Sequence, residues 1–198
     1  MRIRVLNKDP LYDFREANKI TQGIDLNFVN DFVAPKNGDM VTFWIKQIIA
    51  NHSCLRSIRF RVIDTQPKSV VMQIIRATKG HPQPEVQSSR PDWTGVERSS
   101  DPYEDKLFMQ DHTAESFIEM AKQRLCERTE KNTRDFMWSV VHAMIEHENP
   151  FIRAVGYCCH PACWWYAGKC PEINSCCKTV PKLADKVIAM YEGDKKWK

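Results

Sequence analysis

The chain predicts an α+β fold in which short strands alternate with longer helices. Three observations carry this. Ile58, Phe60 and Val62 alternate with Arg59, Arg61 and Ile63, the period of a strand with one wet, basic face. Val41, Trp44, Ile45, Ile48 and Ile49 recur at helical spacing, as do Phe136, Met137, Val140, Val141, Met144 and Ile145. The third is a change of character near the C-terminus, where six of the eight cysteines crowd between residues 158 and 177.

At 198 residues the chain suits one domain with a core of its own. Its expected organisation is a body over residues 1–150, a Cys-rich loop segment over 151–178, and a C-terminal helix and tail over 179–198. Apolar content of 42% and charged content of 27% are ordinary for a soluble globular protein. No apolar run is long enough to span a bilayer, and Met1-Arg2-Ile3-Arg4 lacks the continuous apolar stretch of a secretory signal. The expectation is therefore a cytoplasmic protein with no membrane partner.

The elements follow in order. Ile3 and Val5 alternate as a short strand near the start. A helix over 40–51 follows the turn-forming Asn37-Gly38-Asp39. After the basic strand, Pro67 opens a helix at its favoured first-turn position, with the stripe Val70, Val71, Ile74 and Ile75. Gln73 and Arg76, three apart, share its less apolar side. Gly80, Pro82 and Pro84 end that helix, and residues 80–112 read mostly as loop, a length that is commonly functional in a compact domain. Helices over 114–128 and 133–147 come next, the first placing Cys126 in its core. The last runs over about 181–192. His142 and His147 read as core-edge or surface histidines.

Residues 52–90 hold the chain's charge asymmetry. Arg56, Arg59, Arg61, Lys68, Arg76, Lys79 and Arg90 against Asp64 and Glu85 give +5, while the whole chain carries +4. Arginine forks grip phosphate oxygens bidentately, and hydroxyls such as those of Ser88 and Ser89 fill the remaining acceptor positions. The plainer reading of the same residues is a strand with a solvated basic face. An isoelectric point of 8.6 also admits a nucleic-acid binder. The chain offers neither a basic helix nor an aromatic-lined sheet face, so no nucleic-acid partner is expected.

Cys159, Cys163, Cys170 and Cys176 offer four thiolates at short spacing, with Cys158, His160 and Cys177 as alternates. In a reducing compartment such a cluster reads as tetrahedral zinc ligands before disulfides. Reduced thiols, a disulfide or an iron–sulfur site are the alternatives. Trp164, Trp165 and Tyr166 would pack over that site or against the body.

Taken in order, His52 before a strand, Gln73-Ile74-Ile75-Arg76 closing a helix, and Ser88-Ser89-Arg90 closing a loop resemble the flavin-dependent thymidylate synthases. Thr113-Ala114-Glu115-Ser116-Phe117 leading to Arg124 is similar to that family's second block. Arg124-Leu125-Cys126 and Cys170-Pro171-Glu172 resemble a compact phage and clostridial-type branch with a cysteine-rich tail. Ala77 and Thr78 stand where the family has His and Arg.

The resemblance implies a mixed sheet flanked by helices. It also implies methylation of dUMP at C5 with methylenetetrahydrofolate, FAD and NADPH in a homotetramer. Gln73, Ser88, Ser89, Arg90 and Arg124 would hold the nucleotide, with Ser88 and Arg124 as the catalytic pair. His52, Arg76, Lys79 and His81 would contact the flavin. The alternative is a pyrimidine-nucleotide-binding protein on the same scaffold, non-catalytic or of altered specificity.

Overall fold

The computed structural model describes residues 1–23, 39–77, 84–88, 90–95, 97, 99–166, 187 and 189–193. Its strands are β1 (Arg2–Val5), β2 (Phe60–Pro67), β3 (Glu85–Val86) and β4 (Asp105–His112). Its helices are α1 (Pro10–Thr21), α2 (Met40–Ile49), α3 (Lys68–Arg76), α4 (Pro91–Thr94), α5 (Ala114–Arg124), α6 (Lys131–Ile145), α7 (Pro150–Cys158) and α8 (Ala162–Trp165). A 3-10 turn, Ser53–Ser57, joins α2 to β2. Among the described residues no helix is long and apolar enough to cross a membrane.

The α+β class holds, with a four-stranded sheet in the order β1-β2-β4-β3. The expected mixed sheet is corrected: every described strand pair is antiparallel. A parallel neighbour needs a crossover that returns the chain in the same direction, and none of these pairs has that relation. Residues 80–112, expected as mostly loop, contain β4, which pairs with β2 over eight residues from Phe60↔His112 to Pro67↔Asp105. The strand escaped notice because its buried side is largely polar. Lys106, Gln110 and His112 accompany Phe108 toward the helices, while Leu107 stays exposed.

The core lies between one sheet face and the helices. Phe60, Val62 and Phe108 meet Ile74 of α3, Phe117 of α5 and Phe136 of α6. Phe60 and Phe117 pack edge to face at 5.5 Å, and Phe108 and Phe136 at 5.9 Å. On the far side, Trp44 of α2 meets Phe14 of α1 at 5.3 Å and Phe151 of α7 at 5.2 Å.

Besides the single turns α4 and α8, two helices were not anticipated. The first is α1, capped by Asp9, whose carboxylate accepts from the Leu11 and Tyr12 N–H groups. The second is α7, which lies inside the segment expected to be a Cys-rich loop. Asn149 caps it, Pro150 takes its first position, and seven of its nine residues are buried. Other boundaries shift. Pro67 ends β2 and precedes α3 instead of sitting in its first turn. The helix expected over 114–128 stops at Arg124, leaving Cys126 half-buried in the following turn. His142 is exposed, and His147 is half-buried with its Nε2 3.2 Å from the Ile3 carbonyl. The helix expected over 181–192 lies mostly outside the described residues, although 189–193 are helical.

Candidate functional site

A cleft of about 640 Å³ opens where the C-terminal half of α5 meets α3, the α5–α6 turn and the α7–α8 turn. That volume falls in the range usual for small-molecule sites. Helix α5 is anchored at its start by a reciprocal cap. Thr113 Oγ1 accepts from the Ser116 N–H at 3.2 Å, and Ser116 Oγ accepts from the Thr113 N–H at 2.9 Å. Its last turn therefore enters the cleft on a fixed axis, bearing Glu119, Lys122, Gln123 and Arg124. The turn beyond is tied back by Thr129, whose hydroxyl donates to the Gln123 carbonyl at 2.7 Å.

Gln73 of α3 lines the same cleft, so two of the expected nucleotide residues are brought together. Arg124 is half-buried, and its Nε is buried with no hydrogen-bond partner among the described residues. Burial, reinforced by the charge of Arg76, lowers its pKa from the ordinary arginine value. No acid among the described residues counters that effect on the Arg124 guanidinium. The other charges of the cleft have partners. Glu119 is ion-paired with Lys122, and Glu130 accepts from the Asn132 and Thr133 N–H groups as the cap of α6. The ammonium of Lys122 also lies 4.5 Å over the Trp165 ring.

His52, exposed at the end of α2, lines an adjoining cleft of about 210 Å³ with Trp165. The two clefts share Glu119 and Lys122 as their common wall. Arg76 is exposed and lines neither of them. Neither of these two clefts brings His52 and Arg76 together. Ala77 is 4% exposed and belongs to the core, so it offers a cofactor no contact. Lys79 and His81 lie outside the described residues.

Ser88 and Arg90 sit on the loop after β3 and are not among the residues lining the larger cleft. The Ser88 hydroxyl accepts from the Arg90 N–H at 3.1 Å. The Arg90 guanidinium forks onto Asp92, Nε–Oδ1 at 3.2 Å and Nη2–Oδ2 at 2.6 Å. That pair is exposed on both sides, so its release for an anion costs little. Ser89 lies outside the described residues.

Of the four cysteines expected to hold zinc, Cys159 follows the last turn of α7 and Cys163 lies in α8, both buried. Cys170 and Cys176 lie outside the described residues. Among the described residues, no group of three or more His, Cys, Asp or Glu side chains converges as a metal site. Burial pushes the Cys158 thiol up, and burial together with Cys158 does the same to Cys159. Cys163 lines the larger cleft beside Arg124. Trp164 and Trp165 pack against the core while Tyr166 stays exposed.

Sequence reading missed Lys122, Glu119 and Trp165 as cleft residues. Only the helical spacing of Glu119, Lys122 and Gln123 ahead of Arg124 could have pointed to the first two. No protein-family model matches the chain, and no curated protein matches it.

Proposed function

We propose that this chain binds a pyrimidine nucleoside monophosphate and acts as a flavin-dependent thymidylate synthase-like enzyme. It would methylate dUMP at C5, with methylenetetrahydrofolate as carbon donor and NADPH and FAD as the reducing pair, as a homo-oligomer. One observation carries the nucleotide half. Arg124 brings a buried Nε with no hydrogen-bond partner among the described residues, and a guanidinium on which the charge of Arg76 acts, to a cleft it shares with Gln73. A dianionic phosphate offsets both the repulsion and the desolvation. The Gln73 amide, with a donor and an acceptor, suits the edge of a pyrimidine base.

The enzymatic half rests on the resemblance carried by His52, Gln73, Arg76, Ser88, Arg90 and Arg124. Bound flavin would supply the hydride. The chain's own share is to hold the nucleotide by its phosphate and base edge and to exclude water from the cleft. Ser88 and Arg90 stand on a separate loop, as they would if the site were completed across a subunit boundary.

A second reading is a nucleotide-binding protein without catalysis, favoured by the burial of Ala77 where the family has a flavin-contacting histidine. One experiment separates the two. Purified protein is titrated with dUMP by calorimetry, then incubated with FAD, NADPH, methylenetetrahydrofolate and dUMP and assayed for dTMP. Nucleotide binding with dTMP formation supports the enzyme, and binding with neither dTMP nor flavin absorbance supports the second reading. Absence of nucleotide binding overturns both.

A further inference from the structure

The buried core lies against one face of the sheet. Phe60, Val62, Phe108, Gln110 and His112 point into the core, so the alternate residues of the same strands point away from it. The registers place those outward residues in rows across the strands. One row is Arg4–Arg61–Asp111, the next is Arg2–Ile63–Met109–Glu85, and a third pairs Thr65 with Leu107.

An antiparallel sheet with one wet face ordinarily alternates to polar residues there. Here Ile63, Met109 and Leu107 make a contiguous apolar centre, with Leu107 50% exposed, Ile63 and Met109 half-buried, and none of the three in the core cluster. Charge is segregated around it. Arg2 and Arg4 on β1 and Arg59 before β2 are exposed at one side, and Glu85 on β3 and Asp105 on β4 are exposed at the other.

We infer that this face is a self-association surface whose partner is a second copy of the chain. The row Arg2–Ile63–Met109–Glu85 reads positive, apolar, apolar, negative, with its ends about 14 Å apart at ordinary strand spacing. The charges choose the symmetry axis. A twofold parallel to the strands, between Ile63 and Met109, exchanges the two ends of the row. Each Arg2 then lies over the Glu85 of the other copy, and the apolar pairs meet at the centre. A twofold along the row would set Arg2 on Arg2 and Glu85 on Glu85, which repel. The first arrangement is isologous and closed. It packs two sheets face to face with nearly aligned strands, the geometry that sheet twist favours. The face measures roughly 14 by 26 Å from strand spacing and rise, so each copy covers on the order of 500 Å² once side chains are counted. That is small for a specific interface, so the dimer is weak, concentration-dependent and loosened by salt.

This names the surface behind the homo-oligomer part of the proposed function and does not depend on the nucleotide site. Sedimentation equilibrium of the full chain over a range of concentrations, in low and high salt, tests it. Arg2→Glu and Glu85→Arg each place like charges together twice per dimer and weaken association about tenfold or more. Mixing the two variants restores it, because Arg2→Glu in one copy then faces Glu85→Arg in the other while the wild-type Arg2 and Glu85 still meet. Circular dichroism verifies that both variants are folded. If wild type associates and neither reversal matters, or if mixing restores nothing, this surface is wrong although the homo-oligomer reading stands. A wild-type chain that stays monomeric throughout overturns both.

Discussion

Arg124 has a buried Nε with no hydrogen-bond partner among the described residues, and Arg76 is its charged neighbour. A guanidinium held this way gains nothing for the unliganded fold, because the desolvation cost of a buried charge is offset only by a paired acid. Two outcomes should therefore part company in Arg124→Met. Calorimetric affinity for dUMP should fall by about 1.5–3 kcal/mol, the range of a charge-assisted hydrogen bond. The thermal midpoint without ligand should stay level or rise. A variant that loses stability but keeps its affinity would make Arg124 a structural residue. Arg90→Ala provides the parallel test on the loop beyond β3, and unchanged affinity there would leave Ser88 and Arg90 outside the nucleotide site. Ala77 illustrates how a motif can mislead at this scale. Its neighbours in sequence suggest that Ala77→His would restore a cofactor contact, but the position is 4% exposed in the core. The expected result of that substitution is overpacking worth about 1–3 kcal/mol of stability, with no gain in flavin affinity.

Helices α6 and α7 come into close contact at Gly156. A Cβ there would meet Met144 Cβ at 2.9 Å and the Ile145 backbone nitrogen at 3.0 Å. Two effects compete in Gly156→Ala. Helix propensity favours alanine by about 0.5–1 kcal/mol, while overpacking against backbone costs about 1–3 kcal/mol. Overpacking wins, because the nearest atoms are not the ends of flexible side chains. The urea midpoint should drop, and a midpoint that rises would mean the helices separate freely. Acid acts on two other element junctions. The Asp111 carboxylate takes a fork from Arg61, Nε–Oδ1 at 2.5 Å and Nη2–Oδ2 at 2.8 Å, which holds its pKa below the ordinary value against the opposing effect of burial. Burial works against the charge on Glu130, yet hydrogen bonds from Asn132 and Thr133 prevail and lower its pKa as well. Both groups are depressed on folding. Their stabilisation is complete above the ordinary carboxylate value of about 4 and disappears as pH falls through the lower folded values. Urea midpoints should decline below about pH 4, and Asp111→Asn with Glu130→Gln should flatten that decline. An unchanged slope would show that other carboxylates govern it.

Across the whole molecule, legibility followed burial pattern. Helices α2, α3, α5 and α6 were readable because each shows an apolar stripe at helical spacing, as in Val70, Val71 and Ile74 of α3. Strand β4 was hidden by its inward Lys106, Gln110 and His112, and α7 by the cysteines at its end. Gln73 and Arg124 could be named from sequence, but their sharing one cleft with Cys163 is tertiary information. That proximity gives the cysteine segment a consequence for binding. Cys163 lines the cleft from α8, and Cys159 ends α7, so a zinc held by Cys159, Cys163, Cys170 and Cys176 would fix one wall around Arg124. The Cys159 thiol is raised by burial, so metal loading should release protons and become tighter as pH rises. Protein purified without a metal-affinity tag should contain close to one zinc per chain. Chelation, or the double substitution Cys170→Ser with Cys176→Ser, should lower both the thermal midpoint and the affinity for dUMP. Visible absorbance in place of zinc would indicate an iron–sulfur site. Less than about 0.2 zinc per chain, with every thiol reactive in the folded protein and dUMP affinity indifferent to chelator, would remove the metal and leave α7 and α8 held by packing alone.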